Sequence, residues 1–300
     1  MWINLSKIEL LVLELLCQGD LGPGQIAEKL GKKNSFISRA LARLEEKGLV
    51  ERQGRTVRLS PAAHGQGFKK LYDSRPNAKI EDWLCGNAMS ILLVLAGSSG
   101  GVEFELLEEE AGCSKPTIFK ALKQLYAAGV ASKTEKAIRI TDRFVAEFAE
   151  NYANAIQNRL LTEVRGHNVS IRVRKHVILR TDAPQVPAFF AKTGLDALVE
   201  KGLEASRTSY KDYYFNLDRQ KRSPGTEEAF IHALLLTTLQ QQQDKPLLAI
   251  FLMKNAKKLG MGKLRALAKK YLVEGATEQL DKELDLLRNV ADHYQKGQRA

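Results

Sequence analysis

The chain has 300 residues, 44% hydrophobic and 27% charged, with a formal net charge of +11. That balance excludes a wholly disordered chain, and because single cores rarely grow much beyond about 250 residues, two or three domains are expected. The basic excess, with a pI near 9.5, favours nucleic acid or another acidic partner. Three cysteines, Cys17, Cys85 and Cys113, lie far apart and match no metal-ligand spacing, as expected of a reducing compartment.

The N-terminal run "MWINLSKIELLVLELLCQGD" is apolar but carries Lys7, Glu9 and Glu14. A signal peptide or membrane span would not tolerate them, so a soluble, cytoplasmic protein with no membrane contact is expected. The sequon Asn168-Val169-Ser170 then has no role.

Self-similarity organises the first half. At a constant offset of 81 positions Gly31 pairs with Gly112, Ile37 with Ile118, Ala40-Leu41 with Ala121-Leu122, and Leu44 with Leu125. Gly48 then pairs with Gly129, and Val57-Arg58-Leu59-Ser60 with Ile138-Arg139-Ile140-Thr141. Each copy predicts a first helix with an apolar stripe, Ile8, Leu11 and Leu15 in one and Ile91, Val94 and Leu95 in the other. A shorter second helix follows, Gln25 to Leu30 and Glu103 to Ala111, ended by Gly31 or Gly112. A third helix is expected to be capped by Asn34 or Ser35 in copy 1 and by Ser114 in copy 2. Ile37, Leu41 and Leu44 share its buried face, as do Ile118, Leu122 and Leu125. After the glycine stop the pattern alternates about Gln53-Gly54-Arg55, which predicts a small hairpin.

Helix, helix-turn-helix and two-stranded wing: the stretches "GQIAEKLGKKNSFISRALARLEEKGLVERQGRTVRLS" and "FELLEEEAGCSKPTIFKALKQLYAAGVASKTEKAIRIT" resemble winged helix-turn-helix domains of the MarR-type transcription regulators. The resemblance implies that the start of the third helix lies in a DNA major groove. Ser35, Ser38 and Arg39 would then face base edges, where an arginine bonds guanine in bidentate fashion. Arg43 would lie further along the same outward side. Lys32 and Lys33 would meet phosphates, and Arg52, Arg55 and Arg58 would place a basic wing on the backbone. With about six phosphates neutralised, log affinity would fall with log salt at a slope of about −5. Lys115, Thr117, Lys120 and Lys136 are the corresponding candidates in copy 2. However, Glu103, Glu105, Glu108, Glu109 and Glu110 on its second helix oppose phosphate, and Phe119 stands where copy 1 has Ser38.

From Thr141 to Glu163 one amphipathic helix is expected, with Phe144, Phe148, Tyr152 and Ile156 at four-residue steps. "HNVSIRVRKHVILRTD" then alternates as a half-buried strand whose exposed side is basic, with Arg172, Arg174, Lys175 and Arg180. "PAFFAKTGLDALVEKGL" predicts a short helix ended by Gly202, "SRTSYKDYYFNLD" a second strand, and the rest helices, the last with a stripe of Leu280, Leu284, Leu287 and Ala291.

No catalytic or metal constellation emerges. Glu228 and His232 share a helix face without a second ligand pair, "GSSGG" lacks the lysine of a phosphate loop, and Cys85 has no histidine partner. A winged helix followed by "TGLDALVEKGL" and "DYYFNL" also resembles abortive-infection type antitoxins, which repress their own operons and bind a toxin through the C-terminal half.

The expected fold class is mainly α with small β wings (α+β). Two tandem winged helices span 1–66 and 84–143, and a linker helix with an α+β C-terminal domain spans 144–300. The expected function is sequence-specific binding of double-stranded DNA in transcription regulation, with no enzyme activity, cofactor or metal. A homodimer is also expected, and the C-terminal domain is expected to dimerise, bind a ligand or hold a protein partner. The alternatives are an antitoxin-like autorepressor and a winged-helix scaffold for protein, or for RNA through the basic strand Ser170 to Lys175.

Overall fold

The computed structural model describes residues 2–98, 100–203, 209–240, 245–255 and 258–278. The chain divides into two compact units, Met1–Leu161 and Thr162–Ala300. Among the described residues no helix is long and apolar enough to cross a membrane.

The first unit opens with α1 (Lys7–Cys17), α2 (Pro23–Leu30), α3 (Asn34–Glu46), β1 (Val50–Gln53) and β2 (Thr56–Leu59). Ser6 and Glu9 form a capping box at the start of α1. Gly31, at φ +60°, ends α2 in the left-handed conformation that lets the chain turn directly into α3. Asn34 and Ser35 do not cap α3: its N-cap is Lys33, without a side-chain cap bond. With no side-chain acceptor there, both Asn34 and Ser35 enter the first turn and stay exposed.

The same order recurs as α6 (Ala88–Ala96), α7 (Phe104–Ala111), α8 (Lys115–Ala127), β3 (Ala131–Lys133) and β4 (Ile138–Ile140). Details recur too. Leu21 bridges Val57, and Val102 bridges Ile138, each residue 81 positions after its counterpart. Gly112, at φ +68°, repeats the turn of Gly31. Ser114 occupies the N-cap position of α8, as expected, but its hydroxyl makes no cap bond and lies by that of Thr117 instead.

Between the copies lie two helices that periodicity did not reveal, α4 (Ala63–Asp73) and α5 (Ile80–Trp83). The sequence of α4, AHGQGFKKLYD, has two glycines that lower helix propensity, and packing requires the first of them. A Cβ on Gly65 would lie 2.2 Å from the Ser60 carbonyl oxygen, whereas one on Gly67 would only touch Cα of Phe148, at 3.5 Å. Phe148 belongs to α9 (Arg143–Leu161), which lies along α4 and α6. The helix expected to open the C-terminal part is therefore built into the first unit. Phe148, Tyr152 and Ile156 are buried as expected, whereas Phe144 is half-buried under Arg143 and Val145 is buried instead. Strict four-residue steps outrun the 3.6-residue turn, so a stripe so spaced drifts off the core face.

The second unit is a four-stranded antiparallel sheet of order β5-β6-β8-β7, formed by β5 (Asn168–Val173), β6 (His176–Thr181), β7 (Ala191–Lys192) and β8 (Lys211–Asn216). The helices α10 (Gly194–Val199), α11 (Thr226–Gln240), α12 (Lys245–Asn255) and α13 (Met261–Lys270) gather around Ile178, Leu198, Phe230, Leu234, Phe251, Leu252 and Tyr271. The expected stripe at Leu280, Leu284, Leu287 and Ala291 lies outside the described residues.

The single basic strand expected here is a hairpin, with Val173 opposite His176 and Arg174-Lys175 as its turn. Its cations are not exposed: Arg174, Lys175 and Arg180 are buried. Lys175 pairs with Asp218 at 2.9 Å, and Arg180 pairs with Asp212 at 2.7 Å. Burying a cation without such a partner costs several kcal/mol, roughly, so alternation alone cannot tell an exposed basic strand from a paired one.

His232 is also enclosed. Its Nδ1 lies 2.7 Å from Thr193 Oγ1, and its ring packs against Tyr214 and Tyr271. Burial pushes its pKa down to about 3. Glu228, hydrogen-bonded by Arg222 and by Tyr271 Oη, falls to about 2 although burial alone would raise it. Among the described residues no three His, Cys, Asp or Glu side chains gather as a metal site.

Two tests follow from this packing. Gly65→Ala should destabilise the first unit by about 1–3 kcal/mol or more, despite the better helix propensity of alanine; denaturant unfolding at wild-type stability would overturn the close approach. His232 binds its proton more weakly in the folded protein than in the unfolded chain, where its ordinary value is 6.5. Stability of the second unit should therefore fall as pH drops from about 6.5 towards about 3, and His232→Phe should flatten that fall. Unchanged pH-dependence of melting in the variant would remove His232 as its cause.

Candidate nucleic-acid interface

The basic face of copy 1 exists because its opposite face is a core. Ile37, Ala40, Leu41 and Leu44 are buried on α3, so the helix must turn its remaining residues outward. Lys32, Lys33, Ser35, Phe36, Ser38 and Arg39 are all exposed around its first two turns. Arg39 lies with its guanidinium carbon 5.9 Å from the Phe36 ring centroid, and its Nε donates to Ser35 O at 3.4 Å. The side chain is thereby held along the helix surface. Arg43 is exposed but lies about 12 Å further along the axis than Ser35, lining a cleft with Trp2 and Glu46. It does not join the group at the helix start.

The wing is a two-residue turn, Gly54-Arg55, between Gln53 and Thr56. Gly54 takes φ +61° and Arg55 is exposed at the tip. The other two wing arginines are engaged. Glu51 lies directly opposite Arg58, and the two pair across the strands with Arg58 Nη2 2.5 Å from Glu51 Oε1. Arg52 reaches back to Glu45, at the end of α3, at 2.5 Å. Among the described residues Lys32, Lys33, Arg39 and Arg55 form no ion pair. They, and not the whole basic set, carry the uncompensated charge of this face. Exposed pairs are weak, about 0–1 kcal/mol, so Arg52 and Arg58 are partly neutralised rather than locked.

In copy 2 the equivalent helix α8 exposes Lys115, Lys120 and Lys123, and its hairpin exposes Lys136 and Arg139. Lys115 lies 3.7 Å from Glu108. Thr117 is half-buried, with its hydroxyl 2.9 Å from that of Ser114. The surface at the place of Ser38 is Phe119, 53% exposed.

What fixes α3 against α1 is a buried ion pair that the sequence reading did not single out. Lys47, just after α3, lies 2.6 Å from Glu9 on α1 and donates to Asn4 O at 2.7 Å. The other Glu9 oxygen accepts from the backbone N–H and hydroxyl of Ser6 at 2.7 and 2.6 Å. Both groups are more than nine-tenths buried. Burial lowers the Lys47 pKa even against the bond from Glu9. A carboxylate inside a largely apolar helical run, as Glu9 and Glu14 are in KIELLVLELLC, was the available signal.

Three helices, a tight α2–α3 turn and a short wing define a winged helix-turn-helix fold for this segment. Residues 3–56 match the MarR family, which are DNA-binding transcription regulators. Comparison with curated proteins and with solved structures returns no match.

Glu9→Ala leaves Lys47 buried without its carboxylate and should cost about 3–5 kcal/mol, whereas Glu9→Leu with Lys47→Met should recover most of that loss. A single variant within 1 kcal/mol of wild type, roughly, would show that the pair does not hold α1 to α3.

Proposed function

We propose that this chain is a sequence-specific, double-stranded DNA-binding transcription regulator in which copy 1 holds the DNA. Ser35, Ser38 and Arg39 meet base edges in the major groove, Lys32 and Lys33 meet phosphates, and Arg55 reaches the adjacent backbone from the wing. The observation that carries the reading is the uncompensated basic face of α3 and the wing tip, within the segment that matches the MarR family. Copy 2 is read as a second winged helix, on the recurrence of its elements, bridges and turn glycines. Its Lys115, Thr117, Lys120 and Lys136 are secondary contacts at most, since Lys115 is paired and Thr117 turned inward. The second unit serves partner or ligand binding in this reading.

About four uncompensated cations give a log–log salt slope of roughly −4, shallower than the full basic set would give. Arg39→Ala with Arg55→Ala should weaken duplex binding and flatten that slope by about 1–2, read by fluorescence anisotropy across a salt series on random-sequence duplex. No duplex binding at low salt, or a variant that binds as wild type does, would reject the assignment.

A further inference from the structure

Two carboxyl groups meet inside the first unit with no cation between them. Glu14 is half-buried on α1, and Glu81, on α5, is 8% exposed. Their side chains lie within hydrogen-bonding reach of each other. Glu14 Oε1 and Glu81 Oε2 are both buried, and as carboxylates neither meets a donor. The two can bond only if one of them keeps a proton, since like charges so close do not both ionise readily. Burial first, then the charge and hydrogen bond of Glu81, push the Glu14 carboxyl up to about 7, against the Glu81 backbone N–H, which lowers it.

Among the described residues no ion pair joins either group. Asp82 of α5 adds further negative charge and takes Lys7 of α1 at 3.2 Å. On α4, Lys69 is engaged by Asp73 at 3.4 Å and by Cys17 O at 2.9 Å. Burial pushes the Cys17 thiol, one turn beyond Glu14, up to about 12. Lys47 after α3 is committed to Glu9, and Arg58 of β2 to Glu51; Glu28 and Lys29 of α2 are exposed. On α8, which packs against α5, Lys120 and Lys123 are exposed and the buried Tyr126 hydroxyl has no partner.

The helix that carries Glu81 is held loosely for a buried element. Trp83 is 5% exposed, yet its indole N–H has no acceptor. Its ring centroid lies 6.0 Å from the guanidinium carbon of Arg75, which is committed to Asp142. The four-residue α5 thus docks with an orphaned donor and two facing carboxyls, and Ile80 and Trp83 supply its apolar hold. It stands just before Ala88, where copy 2 begins, and packs on α1 of copy 1 and α8 of copy 2.

We propose that Glu14 and Glu81 share one proton, which latches α5 to α1, and that departure of this proton to solvent releases α5 at the joint between the copies. Without it two carboxylates face each other in a partly dry site. Their repulsion, and the acceptor that water offers to the Trp83 indole, then favour the released helix. Glu14 binds its proton more tightly in the folded protein than in the unfolded chain, where its ordinary value is 4.5. The latch is therefore fully present below about 4.5 and is lost as pH rises through about 7. The second unit responds in the opposite sense, since His232 weakens it on acidification. The Leu5–Gly86 bridge and the Arg75–Asp142 pair contain neither carboxyl, so the change is local to α5. The inference does not need copy 1 to bind DNA.

The test is the fluorescence of Trp83 in the full chain carrying Trp2→Phe, which leaves Trp83 as its one tryptophan. Between about pH 5 and about pH 9 the emission should move to longer wavelength with a midpoint near 7. The change should be reversible, with helical content unchanged by circular dichroism. Glu14→Gln and Glu81→Gln, each replacing the shared proton by a permanent amide donor, should hold the emission at its low-pH position throughout. Trypsin cleavage after Lys79, the N-cap of α5, should be several-fold faster without the glutamine than in Glu14→Gln at about pH 8.5. His232→Phe should leave the transition in place, which separates it from the titration of the second unit. Emission that stays flat without the glutamine, or a transition that survives both glutamine variants, overturns the proposal. A shift that follows added calcium rather than pH also overturns it and assigns the two carboxylates to a cation.

Discussion

The first unit depends on the segment from Trp2 to Glu9, and above all on the ion pair between Glu9 and Lys47. Asn4 O accepts from Lys47, its side chain accepts from Ser90 N at 3.2 Å and donates to Asn87 Oδ1 at 2.8 Å. Leu5 bridges Gly86, Trp2 Nε1 donates to Glu46 at 2.8 Å, and Tyr152 Oη donates to Ile3 O at 3.0 Å. One short extended segment thus ties the end of α3, the start of α6 and the middle of α9. A buried pair is a poor source of net stability against an apolar replacement, but it is intolerant of losing one member. Its use here is positional: it fixes where α3, and with it the exposed basic side, sits against α1.

The copies share a backbone plan but not this device. The counterparts of Glu9 and Lys47 are Ser90 and Ala128. Ser90 instead donates its hydroxyl to Ala111 O at 2.8 Å, and the helix it lies on, α6, is buried from Ala88 to Leu95. A helix wrapped by protein on all sides needs no charged staple. Arg75 joins the end of α4 to copy 2, donating to Ala128 O and, from Nε at 2.9 Å, to Asp142. Copy 1 keeps its cations outward and copy 2 replaces the central polar position by an aromatic ring, so one architecture presents two different surfaces.

In the second unit a short polar cluster packs α10 against β8 and α11. In Thr193-Gly194-Leu195-Asp196, Thr193 meets His232, and Leu195 N–H donates to Asp212 at 3.0 Å. Gly194, at φ +57°, has its Cα so close to Asp212 that a Cβ would fall 2.3 Å from the carboxylate. Asp212 also receives Arg180 and donates its own N–H to Asp196 at 2.7 Å. These residues open the stretch that carries the antitoxin likeness; Gly194, Leu195 and Asp196 meet Asp212 on β8, and Thr193 meets His232 on α11.

The repeat, its helices, the two hairpins and the buried stripe of α3 were legible in the sequence, because helical and strand periodicities are local and an amphipathic segment declares its inner face. Three things were not. The glycines of α4 lower helix propensity, and Gly65 makes sense only where the turn before the helix brings the Ser60 carbonyl against it. The cations of β6 and its turn read as solvent-facing residues, yet Arg180 pairs with Asp212 on β8 and Lys175 with Asp218 just after it, and both are buried. The basic count on the wing was visible, but the pairing of Arg58 with Glu51 and of Arg52 with Glu45 depends on register across the hairpin and on the approach of α3. Composition and period determine which faces are apolar and where charge is concentrated; only tertiary contact decides which charges meet a partner, and therefore which remain for another molecule.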